Sequence, residues 1–187
     1  MILEKAFELV YARGYQTTSV DDILATTGVT KGAFYYHFKN KDEMGLAMIH
    51  ELLIAGAQEM YVQPLAQSAE PAKAIPALMK QLLFDTPILQ ARYGCPAGNL
   101  TQEVAQLNEG FNTALNELTD IWRSGLENCL NNGKKAGNIR KAVNVKQVAD
   151  FLISGYWGIR TYARLHNDAG SYHNYLKELK NYLKSLA

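Results

Sequence analysis

Long stretches of this chain repeat apolar residues three and four positions apart, and no run of Val, Ile or Thr alternates with polar residues. That period is the inward face of an amphipathic helix, so the spacing predicts an all-α protein. At 187 residues the chain can bury a core without disulfides or metal ions. Hydrophobic residues at 48% and charged residues at 20% exclude a disordered chain. No apolar run reaches the ~18 residues of a membrane span. The first residues also lack the basic segment, apolar run and cleavage site of a signal peptide. Cys95 and Cys129 do not make a disulfide framework or a zinc site, which points to a reducing cytoplasm.

Start and stop signals bound the helices. A first helix runs from about Met1 to Arg13, with Leu3, Phe7 and Val10 on one face and Gly14 to end it. Ser19, with Asp22 three residues on, starts a short helix that buries Val20, Ile23 and Leu24 and ends at Thr26. Gly28 makes the turn. Thr30 starts a second short helix, Lys31 to about Phe38, anchored by Phe34 and Phe38. Asn40, paired with Glu43, starts the next. That helix is expected over 41–61 and another over 71–90, bent or interrupted at Pro76 and Pro87. Others follow at 96–107, 108–131 (closed by Asn132-Gly133), 145–166 and 171–186.

Two short helices around a glycine turn, braced by a third, form a helix-turn-helix, whose second helix enters the major groove of DNA. Gly32 and Ala33 are small enough to let that helix approach base edges, and Ala33 can touch a thymine methyl. Residues 35–38 (Tyr-Tyr-His-Phe) cannot all face the core, because each helical step rotates by about 100°. Tyr35, Tyr36 and His37 are therefore expected to reach phosphate oxygens, with Lys41 as a second clamp at a helix start. Bulk charge gives no support. The chain is +1 overall, and the first 44 residues carry five basic against six acidic side chains.

The run Gly28-Val29-Thr30-Lys31-Gly32-Ala33-Phe34-Tyr35-Tyr36-His37-Phe38-Lys39-Asn40-Lys41-Asp42 resembles the DNA-binding signature of the TetR family of repressors. Arg13-Gly14-Tyr15 and Thr18-Ser19-Val20-Asp21-Asp22-Ile23 fit the same family's first two helices. The resemblance implies a helix-turn-helix domain at 1–45 and a larger helical effector-binding and dimerisation domain at 46–187. It implies a cytoplasmic homodimer on a palindromic double-stranded DNA operator, repressing transcription until a small-molecule effector releases it. By matching position, Thr30, Lys31, Ala33, Tyr35, Tyr36, His37 and Lys41 would contact DNA, with Thr18 and Ser19 on phosphate. No cofactor or metal is implied.

The second half says less. In the last two helices Val148, Leu152, Gly155 and Ile159 make one stripe, and Tyr172, Leu176, Leu179, Leu183 and Leu186 another. These could pack inside one chain or build a four-helix dimer interface, in which Gly155 and Gly158 would let backbones approach. Met60, Tyr61, Phe84, Tyr93, Phe111, Trp122, Tyr156, Trp157 and Arg160 are candidates to line an effector pocket, or ordinary core. Arg123 and Arg160 could neutralise an acidic effector or pair with a carboxylate. Cys95 lies between Gly94 and Pro96, at a helix start where a thiol pKa falls. Its segment, with Gly98, Asn99, Leu100 and Glu103, resembles one shared by a subgroup of the family, some of which sense electrophiles or oxidants through that cysteine. A small buried residue at a tight turn is the other reading.

An enzyme is not expected. His37, His50, His166 and His173 are scattered, and neither a Gly-rich phosphate loop nor a Gly-x-Ser-x-Gly elbow occurs. An adaptor using the same fold to bind protein is the remaining alternative, and only the near-neutral N-terminal charge favours it.

Overall fold

The computed structural model describes residues 2–166 and 170–187, and each regular element among them is helical. In chain order these are α1 (Ile2–Arg13), α2 (Val20–Thr27), α3 (Lys31–His37) and α4 (Lys41–Met48). From α4 the chain passes through wide π-helical turns at Ile49–Ile54 and Gln58–Val62, with a single α-turn at Ala55–Ala57 between them. Then come α5 (Pro71–Lys80), which widens into a π-turn at Gln81–Asp85, and α6 (Pro96–Val104). The last three are α7 (Glu109–Lys135), α8 (Val145–His166) and α9 (Gly170–Lys184).

The chain forms two compact units. One contains the residues up to Gly56 together with Pro96–Leu118; the other contains Ala57–Cys95 and Thr119–Ala187. In the first, α1 buries Leu3, Ala6, Phe7, Val10 and Tyr11, and Ile23, Phe34, Met44 and Met48 are buried in the same unit. The expected division at residue 45 falls inside this unit. Gly45 lies against Tyr15 and Phe111 so closely that a Cβ would come within 2.8 Å of both rings. Polar bonds add to the packing. The Tyr15 hydroxyl donates to Asp42 (2.7 Å), Asn108 donates to the other oxygen of the same carboxylate (3.1 Å), and Glu103 accepts the Gln16 N–H (2.9 Å).

In the second unit α7 contributes Trp122, Leu126, Cys129 and Leu130 to a core shared with Ile75, Leu78 and Met79 and with α8 and α9. Arg140 ties off the chain end: its N–H donates to the Leu186 carbonyl (2.9 Å) and its guanidinium to that of Ser185 (2.7 Å).

Three helix limits differ from the expected ones. Pro76 does not break α5, because it is buried in the core and packing outweighs one missing N–H. The chain leaves helix at Thr86 instead, extended at φ −108° as a residue before proline must be, so no helix reaches Gln90. Gly133 does not close α7. It sits where a Cβ would meet Pro71 at 2.5 Å, and the left-handed residue that ends the segment is Gly137 at φ +80°.

Candidate nucleic-acid interface

Local capping shapes the helix pair. Ser19 accepts the Asp22 N–H (3.1 Å) and Asp22 in return accepts that of Ser19 (2.8 Å), a complete capping box at the start of α2. The Ser19 hydroxyl and N–H, both donating to the Asp22 carboxylate, hold that carboxyl below its ordinary range. Gly28, at φ +69°, ends α2 in the left-handed region, and its N–H returns to the Leu24 carbonyl. Thr30 then caps α3 by accepting the Ala33 N–H (3.2 Å), and Asn40 caps α4 by accepting that of Glu43 (2.8 Å).

These caps leave α3 seven residues long, held by one fully buried side chain, Phe34, while Phe38 is half-buried. Lys31, Gly32, Ala33, Tyr35, Tyr36 and His37 are all exposed. Tyr36 is 86% exposed and stands edge-on to His37 at 5.1 Å between ring centroids. An exposed tyrosine of that degree does nothing for the core. This face combines a close-approach patch (Gly32, Ala33), three hydrogen-bonding rings and one cation. Lys31 is loosely paired with Asp21 at 3.6 Å, both mostly exposed. Ser19 and Thr30 are exposed as well.

Two of the expected DNA contacts are turned elsewhere. Thr18 is buried, and its hydroxyl donates to the Gly14 carbonyl (2.7 Å), so it stiffens the turn before α2 and does not face solvent. Lys41 points its ammonium inward, donating to the carbonyls of Tyr15 (3.1 Å) and Thr18 (3.2 Å) above the Tyr15 ring. It braces α4 against the α1–α2 turn. The exposed lysine beside the end of α3 is Lys39, which is not among the expected contacts.

The candidates in the second half separate too. Trp122 stacks on Tyr61 (4.9 Å) and meets Tyr156 edge-on (5.1 Å), and the Arg160 guanidinium lies 5.8 Å from the Tyr156 ring. Burial raises the Tyr61 hydroxyl pKa well above its usual range, against the opposing charge of Arg160. Half-buried Tyr61 thus sits in one cluster with buried Trp122, Tyr156 and Arg160, and buried Cys95 follows Gly94, whose carbonyl Arg160 holds. Arg160 is no free cation for an acidic effector. It is fully buried and donates to the carbonyls of Gly94 (2.6 and 2.8 Å), Gln90 (3.1 Å) and Leu82 (3.4 Å). Arg123 is held at the surface by Asp120 and Asp150. Phe111 belongs to the other unit, edge-on to Tyr15 at 5.2 Å, so it lines no pocket in this one. Phe84 leans on Tyr172 and His173, Tyr93 is covered by Arg92, and Met60 and Trp157 are half-buried.

The expected dimer stripe is internal. Leu152, Leu176, Leu179 and Leu183 are buried within the single chain, Ile159 is half-buried, and Gly155 makes room for the Tyr175 hydroxyl. A second stripe on α8 faces solvent: Phe151 and Tyr162 are each 54% exposed and Leu165 80%, with Gly155 and Gly158 at the intervening helical positions. Beside it a groove of about 470 Å³ is lined by Phe151, Tyr175 and Tyr182.

Two family models match the chain: "Bacterial regulatory proteins, tetR family" over residues 2–48 and "Tetracyclin repressor-like, C-terminal domain" over 71–179. An HTH-type transcriptional regulator of Lactococcus lactis subsp. lactis is 33% identical over 128 residues, covering 68% of this chain and 65% of that protein. The HTH-type transcriptional repressor DhaR of Mycobacterium sp. (strain GP1) is 29% identical over 159 residues, 84% of this chain and 77% of the repressor. Among solved structures, regulatory protein TetR from Rhodobacter sphaeroides has the same fold: TM-score 0.85 at 23% identity, covering 96% of this chain and 95% of that one.

Proposed function

Since the chain belongs to the TetR family of DNA-binding transcriptional regulators, we propose that it represses transcription as a cytoplasmic homodimer on a palindromic operator. A small-molecule or reactive effector, bound in the second unit, releases it; it acts by binding and not by turnover. The observation that carries the DNA reading is the face of α3, where Tyr36 stands 86% exposed beside Gly32 and Ala33 over the single buried anchor Phe34. On this reading Lys31 and Ala33 face the major groove, and Ser19, Thr30, Tyr35, Tyr36, His37 and Lys39 reach phosphate. The stripe Phe151, Tyr162 and Leu165 of α8 meets its copy in the partner subunit. No described helix is long and apolar enough to cross a membrane.

Selection of bound fragments from a random duplex library, at roughly physiological salt, tests this directly. A palindromic motif is expected, with affinity that falls steeply as salt rises and is lost in Tyr36→Ala. Recovery of no specific duplex would favour a protein-binding adaptor. The reactive branch has its own test at Cys95, which immediately precedes α6 but is buried, as a small residue at a tight turn would be. Mild oxidation should abolish operator binding reversibly in the wild type and spare Cys95→Ser. Unchanged wild-type binding would leave only the non-covalent effector.

A further inference from the structure

Among the described residues, four buried side-chain polar atoms have no hydrogen-bond partner: Trp122 Nε1, Ser171 Oγ, Tyr172 Oη and Tyr175 Oη. All four lie in the second unit. Two of them belong to side chains at least nine-tenths buried around the aromatic cluster: Trp122, 4% exposed, and fully buried Tyr172. The indole N–H is only a donor. The Tyr172 hydroxyl, whose pKa burial raises against the opposing charge of Arg160, stays protonated at neutral pH, and Arg160 acts on Tyr61 in the same sense. Leaving such donors unmet costs more than an ordinary hydrogen bond returns, so native interiors rarely keep them without a reason.

The rings beside Trp122 are those of Tyr61 and Tyr156, so its unmet N–H lies in aromatic surroundings. An apolar body carrying an oxygen acceptor answers both features, since aromatic side chains surround it and its oxygen accepts from the indole N–H. A cationic body is disfavoured by the buried Arg160 guanidinium in the same cluster. A second, independent feature marks the same place. Tyr61 comes from the π-turn Gln58–Val62, and the Leu82 carbonyl gripped by Arg160 comes from the π-turn Gln81–Asp85. Such widened turns are frequent at functional sites.

We infer that this cluster binds a small, uncharged or anionic molecule through a carbonyl-type oxygen, ketone or carboxylate, which accepts from Trp122 Nε1 with Tyr172 Oη as the second donor. The inference rests on the effector reading above and names the chemical class of that effector.

Shape-matched probes test it on the full chain: acetophenone and benzoate as acceptor-bearing molecules, ethylbenzene without an acceptor, and 1-phenylethylamine as a cation, each titrated by ligand-observed NMR. Acetophenone or benzoate should bind about tenfold tighter than ethylbenzene, the worth of one good hydrogen bond. The amine should not bind. Which of the two acceptors binds tighter separates a ketone from a carboxylate. Trp122→Phe and Tyr172→Phe, each checked for unchanged helical circular dichroism, should bring the acceptor probes down to the ethylbenzene level. Ethylbenzene binding as tightly as acetophenone, the preference surviving in both variants, or no probe binding at all would overturn the inference. Operator release is scored separately with the selected duplex. Probes that bind with the expected preference but release no DNA would leave the site standing and sink the effector reading. Release by some other ligand without that preference would do the reverse.

Discussion

At the scale of single residues, placement decides which side chains are reactive and which positions tolerate change. Burial pushes the Cys129 thiol up to about 11, so it stays protonated at neutral pH. Iodoacetamide at pH 8 should leave Cys129 unmodified in the folded protein and label it only after unfolding, as read by peptide mass spectrometry. Gly45→Ala would drive a methyl into the Tyr15 and Phe111 rings, and overpacking of that kind costs about 1–3 kcal/mol. A fall in the urea midpoint with an unchanged slope would confirm it. Asp22 has a folded-state pKa below its ordinary value. The stability it contributes is therefore complete above that ordinary value, near 4, and is lost as pH falls through the lower folded value. Asp22→Asn should lack that part of the acid unfolding slope. The identity of the exposed α3 residues was legible in the sequence, because four consecutive rings on a helix cannot all be buried. The inward turn of Lys41 was not. Its partners are the carbonyls of Tyr15 and Thr18, and a backbone carbonyl leaves no mark on a sequence.

At the scale of elements, the caps were the most readable part, since a capping box or an Asn at a helix start acts over three residues. Asn40→Ala should cost about 1 kcal/mol and loosen the junction between α3 and α4. Duplex affinity would then fall alongside the thermal midpoint, with every α3 side chain intact. Helix ends set by distant packing were less readable: α7 runs through Gly133 because Pro71 fills the space where a side chain would go. The two stripes of α8 show the same limit. Val148, Leu152, Tyr156, Arg160 and Ala163 face inward, while Phe151, Gly155, Gly158, Tyr162 and Leu165 follow the same spacing on another face. Periodicity reports both and cannot say which one a neighbour in the same chain will cover. The π-turns have no local signature at all.

For the whole molecule, the dimer proposed above would be disrupted at the open stripe of α8. Phe151→Glu with Leu165→Glu puts two charges where apolar surface is exposed, so the single chain should fold as before. Light scattering should then report the monomer mass, and the selected duplex should no longer be bound at concentrations where the wild type saturates it. A dimer that survives both changes would place the interface elsewhere. The Arg160 clasp has a different kind of consequence. It fastens the stretch from Leu82 to Gly94 by main-chain oxygens alone, and of the residues it grips only Gly94, at φ +77°, calls for a particular residue type. Apart from buried Leu83, most side chains between are exposed or half-buried, so they can change while the fold of the segment persists. Such a scaffold lets descendants of one ancestor acquire new chemical tastes by exchanging a few neighbouring residues, without having to rebuild the walls around them.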